Sequence, residues 1–256
     1  MPSTSRVHLL VAAGAATLLA GALAGDARAD RRAFTRTYEY TTMPEGQTEI
    51  EIYSTHSRAT FDGATSPQSF VLQLEVEHGI TDRWDVSLYH VFAQSSDGLG
   101  GGSPLALSEM KLRTRYRFAE RGELPVDVLA YAEVAKDFGV GAYALEGKAV
   151  LARDIGRTTI AANLIAEVVV GNDVDEAEVE LGWSVGASQE VTPAWKIGAE
   201  TWGDFEAEHT DEIAASAGPA LSWAPSSALW VTATAGFGLT DHADAFSVRA
   251  IIGFGL

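Results

Sequence analysis

Residues 109–118 read EMKLRTRYRF. Lys111, Arg113, Arg115 and Arg117 take every second place, and Met110, Leu112, Thr114, Tyr116 and Phe118 fill the gaps. A β-strand sends alternate side chains to opposite sides, so this stretch is a strand with a cationic face and an oily face. Its fold is decided by which medium each face meets.

The same period of two runs through nearly the whole chain beyond the first 29 residues, broken at fairly even spacing by turn residues. Twelve segments emerge: 47–55, 69–79, 83–94, 106–118, 123–136, 143–154, 157–171, 176–190, 194–206, 213–223, 227–239 and 244–256. The connections after the even-numbered segments are tight, at Ile80-Thr81-Asp82, Glu120-Arg121-Gly122, Ile155-Gly156, Thr192-Pro193 and Ala224-Pro225-Ser226. The longest, 56–68 and 95–105, follow odd-numbered segments, although 172–175 and 240–243 are hardly longer than the turns. An even number of strands with short turns at one end and longer loops at the other is the layout of a twelve-stranded, antiparallel, up-and-down transmembrane β-barrel.

Each segment divides into an apolar and a polar column. Phe70, Leu72, Leu74 and Val76 oppose Val71, Gln73, Glu75 and Glu77; Trp84, Val86, Leu88 and Phe92 oppose Arg83, Asp85, Ser87 and Tyr89. Alternation alone does not say whether the oily column faces a dry core, as in a secreted sandwich, or lipid. Aromatic placement does. Trp84, Phe118, Trp195, Trp223 and Phe254 fall at the short-turn ends of apolar columns, and Phe70, Phe92, Phe138, Tyr143 and Phe246 at the other ends, as two interfacial girdles require. Four cations facing lipid at mid-depth would cost about 2–4 kcal/mol each, so the column from Lys111 to Arg117 is expected to look into the lumen.

Ahead of the barrel, residues 1–29 describe an export signal: Arg6, an uncharged apolar run LLVAAGAATLLAGALAG (9–25), and Ala27-Arg28-Ala29, with cleavage expected after Ala29. Removing it leaves 16 basic and 34 acidic residues, a net charge of −18. That acidity argues against nucleic acid as a partner. The absence of cysteine excludes thiol chemistry and Cys-ligated metals. Residues 30–45 alternate at Phe34, Arg36, Tyr38 and Tyr40, which would suit a short strand but spoil the even count; a periplasmic or lumen-lining leader before the barrel of 46–256 is the expectation.

Three phrases carry a resemblance: TYEYTTMPEGQTEIEIYST (37–55), LEVEHGITDRWDVSLY (74–89) and EGKAVLARDIGRTTIAANLIAE (146–167). They resemble the bacterial outer-membrane transporters named after the meta-pathway of phenol degradation. The resemblance implies a membrane barrel, with outer-membrane lipid and the barrel-assembly machinery as partners, and the expected function is passive diffusion of small polar or aromatic solutes. The last stretch, DAFSVRAIIGFGL (244–256), runs apolar to the chain end as an insertion signal does, with Leu256 where an aromatic is usual.

The expected lumen residues are Lys111, Arg113, Arg115, Arg117, Glu75, Glu77, Asp85, Tyr89, Asp127, Tyr131 and Glu133, within a wider inward set that includes Glu49, Glu51, Glu109, Glu146, Lys148, Glu167, Glu178, Glu180, Lys196, Glu200 and Arg249. Segments four and five would set Arg115 and Arg117 near Asp127, and Lys111 near Glu133. A basic wall facing acidic walls creates a transverse field that orders polar solutes, while the same groups as ion pairs would plug a narrow barrel. Inward Tyr53, Tyr89, Tyr131, Trp202 and Trp230 suit either solute stacking or lumen packing. His78 and His90 fall on outward columns without a serine of matching parity, so no hydrolase triad is expected. No HExxH, calcium loop or phosphate-binding glycine loop occurs, so neither metal nor cofactor is expected.

Overall fold

The computed structural model describes residues 31–61, 65–171 and 177–256; the expected signal peptide lies outside the described residues. Twelve strands form one closed antiparallel barrel: β1 Thr48–Arg58, β2 Gln68–Thr81, β3 Trp84–Ser96, β4 Ala106–Arg117, β5 Asp127–Asp137, β6 Tyr143–Ile155, β7 Thr158–Val170, β8 Glu178–Thr192, β9 Trp195–Glu206, β10 Ala214–Trp223, β11 Leu229–Gly238 and β12 Phe246–Gly255. Each pairs with its sequence neighbours, and β1 closes on β12 from Glu49↔Gly255 to Arg58↔Phe246. Closure leaves no sheet edge with unpaired backbone groups, a requirement for crossing hydrocarbon.

The two faces part as the alternation demands. On β4 Leu112 is 55% exposed while Arg113 is 1% exposed. Leu88, Leu164, Ile197 and Leu221 stand out on the same outer surface as Leu112. A continuous apolar belt of this kind is a liability in water and a fit for lipid. At the short-turn end the belt is rimmed by Trp195 stacked on Trp223 and by Tyr116 edge-on to Phe118, and at the other end Phe237 meets Phe246. Trp84 donates its Nε1–H to Thr114 Oγ1 at 2.7 Å, which satisfies the one polar atom of a ring set at the interface.

Strand bounds match the expected segments within a few residues, except at β5. Its ladder starts at Asp127 rather than near residue 123. Pro125 has no N–H to contribute to a ladder, and the chain before it forms a small loop instead, with Glu123 N donating to Glu120 O and Gly122 N to Asp127 Oδ1.

Residues 31–46 occupy the lumen rather than adding a strand. Phe34, Tyr40 and Met43 are buried there, and Glu45 bridges to Gly79 at the short-turn end. Gly79 permits the close approach of that entry: a Cβ on it would meet the carbonyls of Met43 and Pro44.

Candidate functional site

The leader enters at the short-turn end, turns near mid-depth and comes back. Descending from β1, Glu45 N and Thr42 Oγ1 donate to Asp82, and Met43 N donates to Asp85 Oδ2 at 3.0 Å. Tyr38 and Asn163 of β7 exchange two hydrogen bonds, Tyr38 N to Oδ1 at 2.7 Å and Nδ2 to Tyr38 O at 3.0 Å. The apex sits on Glu200 of β9. Its carboxylate accepts from Thr35 N, Arg36 N and Thr37 N, each at 2.9 Å, and from the hydroxyls of Thr35, Thr37 and Thr234 at 2.8, 3.1 and 2.6 Å. Three successive N–H groups converging on one buried carboxylate form an anion nest. Phe34 lies against Gly186, where a Cβ would come within 2.7–2.8 Å of three ring atoms. Arg31 ends the loop back at the short turns, donating to Pro193 O at 2.7 Å and to Ala194 O and Ser222 O at 3.1 Å. The backbone of this stretch satisfies itself on lumen side chains, which is why its alternating pattern makes no strand.

Beneath and beside the leader, all four column cations are ion-paired, Arg113 and Arg115 in fully buried pairs and Lys111 and Arg117 in more open ones. Arg113 Nη2 lies 2.8 Å from Glu75 and 2.6 Å from Glu77, and its other terminal nitrogen donates to Tyr89 OH at 2.5 Å. Arg115 pairs with Glu77 and forks onto Asp85, from Nε at 3.0 and 3.1 Å and from Nη2 at 2.8 Å. Arg32 of the leader donates to Tyr53 OH at 3.0 Å, and Tyr53 in turn donates to Glu75 at 2.6 Å. Arg113, Arg115, Glu75, Glu77 and Asp85 are all buried.

The partners of Arg115 and Arg117 differ from the expected Asp127. Register places Arg115 opposite Asp85 on one side and Tyr131 on the other, and Arg117 opposite Leu129, so Asp127 falls past the end of the β4 ladder. Asp127 caps Gly122 N, while Arg117 donates to Asp82 O at 2.6 Å and lies over the Tyr40 ring at the rim. Lys111 does meet Glu133, at 3.3 Å, and Glu109 at the same distance. Tyr131 donates to Glu133 at 2.7 Å.

Toward the long-loop end the lumen widens into a cavity of about 240 Å³. Lys111, Tyr89, Tyr131 and Glu133 line it, together with Arg36, Lys148, Glu180, Trp202, Asp204 and Arg249; Arg113, Arg115, Glu75, Glu77 and Asp85 do not. One wall is strongly acidic, because Glu133, Glu146, Glu167, Glu180 and Glu206 are direct cross-strand partners in succession from β5 to β9. Like charges in that position repel. Lys111 serves Glu133, and Lys148 lies 3.0 Å from Glu146 and 4.5 Å from the Tyr131 ring centre.

Of the inward aromatics, Trp230 is packed away from the cavity and donates to Glu49 at 2.9 Å, whereas Tyr53, Tyr89 and Tyr131, largely buried, line the cavity together with Trp202, which lies beneath Arg36. The loop at 95–103 closes on itself: Asp97 Oδ1 accepts from Leu99 N and Gly101 N, and Leu99 is exposed. Among the described residues no group of three or more metal-ligating side chains converges.

The overall geometry is shared with solved membrane proteins. The crystal structure of an outer membrane channel from Pseudomonas putida F1 aligns with a TM-score of 0.71 at 12% identity, covering 87% of this chain and all of that one. The fold is that of an outer-membrane β-barrel. The NanC porin aligns at TM-score 0.57 and 10% identity over 81% of this chain and all of that one, and the KdgM porin, solved with disordered oligogalacturonate, at 0.54 and 7% over 81% and 97%. No protein-family model matches the sequence, and no curated protein matches it.

Neither Glu200 nor Asn163 stood out in the sequence as an anchor. Asn163 carries the one available signal, a lone amide on the polar side of TTIAANLIAE.

Proposed function

We propose that the chain is an outer-membrane channel for passive diffusion of small polar or aromatic solutes, with its short turns and leader at the periplasmic end and its longer loops outside. Export through a signal cleaved after Ala29 and insertion by the barrel-assembly machinery, guided by residues 244–256, are parts of this reading. The observation that carries it is the charged cavity under an exposed Glu180, in a fold shared with channels and porins. Hairpin phrases at 74–89 and 146–167 support membership of the phenol meta-pathway transporter group.

Selectivity in this reading lies at Lys111, Glu133, Tyr89 and Tyr131 together with Lys148 and Arg36, while Arg113, Arg115, Glu75, Glu77 and Asp85 hold the wall. The acidic row from Glu133 to Glu206 favours cations over anions. No catalytic chemistry is assigned.

A second reading, a plugged barrel with a structural role, is favoured by the leader's hydrogen bonds to Glu200, Asn163 and Asp85. Planar-bilayer recording separates the two. Unitary current steps from the wild-type chain, with a reversal potential that moves further toward the cation potential in Lys148→Gln, support the channel. Silence in the wild type, with current only after deletion of 31–43, supports the plug.

A further inference from the structure

Two arginines in the cavity have no direct ion-pair partner among the described residues. Arg36, at the leader apex, stacks 5.1 Å from the Trp202 ring centre, and Arg249 of β12 stacks 5.1 Å from Tyr53. Each has a buried Nε without a hydrogen-bond partner, and neither forms an ion pair with any described residue. One scaffold keeps them close: Thr234, the cross-strand neighbour of Arg249, donates to Glu200, the carboxylate that holds the backbone of Arg36. A guanidinium stacked on a ring keeps its N–H edge free, and a forked carboxylate is what two such edges fit.

The other lining charges set the rest of the ligand. Glu133 and Glu146 are held by Lys111 and Lys148, but Glu180 and Asp204 have no hydrogen bond or ion pair among the described residues. They line the same cavity as Arg36 and Arg249. A dianion would be repelled by them and a plain cation by the arginines; a dipolar solute of zero net charge meets both. At about 30 Å³ per water the cavity holds about eight waters, the size of a short amino acid.

We propose that this cavity binds a small zwitterionic solute, its carboxylate between Arg36 and Arg249 and its ammonium toward Glu180 and Asp204. The proposal rests on the channel reading only in taking that solute to be the one conducted. Binding is a separate property from conduction and is measured separately.

Titration calorimetry of the full-length, detergent-purified barrel tests it, with γ-aminobutyrate, butyrate and butylamine as probes. The zwitterion is expected to bind saturably and each singly charged probe at least tenfold more weakly. Arg249→Gln and Asp204→Asn should each weaken the zwitterion at least tenfold, in protein that keeps its heat-modifiable gel mobility. Absence of saturable heat, butyrate binding as tightly as the zwitterion, or an Arg249→Gln barrel that is folded and binds unchanged would overturn the site. Currents from the same preparation keep the two readings apart. A conducting barrel that binds no probe removes this site and leaves the channel, and a silent barrel that binds selectively supports the site and removes the channel.

Discussion

Replacement of Glu200 by alanine should release the leader into the periplasmic mouth. The carboxylate accepts six hydrogen bonds, three of them from the consecutive backbone N–H groups of Thr35, Arg36 and Thr37. Hydroxyls can turn to another acceptor, but the N–H groups cannot, and each buried N–H left without one costs about 1–3 kcal/mol. Taking about 1.4 kcal/mol for each of the three gives about 4 kcal/mol, a factor of about a thousand in the docked-to-released ratio. Glutamine at this place is a graded control. With its amide nitrogen at the Oε1 position, the hydroxyls of Thr35 and Thr234 rotate to accept from it and only Thr35 N–H is orphaned, a loss of about tenfold. Thr234→Ala, which removes one hydroxyl, should cost about 1 kcal/mol, or about fivefold. The assay is tryptic cleavage after Arg36 in folded barrel, whose rate follows the released population when redocking is fast. A Glu200→Ala barrel that is fully folded and cut no faster than wild type would refute the role given to the nest.

Other perturbations read other parts of the structure. Gly186→Val puts a branched side chain where the Phe34 ring lies, so it should raise the same cleavage rate while leaving the barrel folded by gel mobility. Arg115→Met strands Asp85 without its guanidinium in a buried site and leaves Glu77 to Arg113 alone; the expected loss is about 3–5 kcal/mol, seen as a lower temperature for the heat-modifiable mobility change. Arg117→Gln loosens contacts at the rim alone, a hydrogen bond to Asp82 O, an ion pair with the half-exposed Glu120 and the Tyr40 ring, and should lower that temperature far less than Arg115→Met. His209, in the β9–β10 loop, titrates above its ordinary value of about 6.5, chiefly through its hydrogen bond to Glu206. That contact is favoured below the ordinary histidine range and lost as pH rises through the raised value, so an NMR titration should show a midpoint that falls in Glu206→Gln.

Strand number, strand order and the sense of each face were legible because lipid and lumen impose a strict alternation, and EMKLRTRYRF states it in ten residues. Partner choice within the lumen was not. Arg115 meets Asp85 rather than Asp127 because the offset between β4 and β5 carries Asp127 past the ladder end, and that offset has no local sequence signature. The alternation of Phe34, Arg36, Tyr38 and Tyr40 imitates a strand, yet the backbone N–H groups of Arg36 and Tyr38 bond to Glu200 and Asn163 of the barrel wall instead of to a neighbouring strand. A pattern of period two therefore reports two environments without saying whether the backbone between them pairs with a neighbour. The cavity's two unpaired arginines come from distant parts of the chain, one of them in the leader, and only closure of the cylinder brings them together.

The leader's anchors lie on opposite sides of the cylinder: Asp85 on β3, Asn163 on β7, Glu200 on β9 and Ser222 on β10. Sixteen residues of loop thus act as a tie-rod across the bore, resisting the ovalising strain that lateral bilayer pressure puts on a thin hoop of strands. Cutting that rod should soften the hoop even where every ladder bond stays intact.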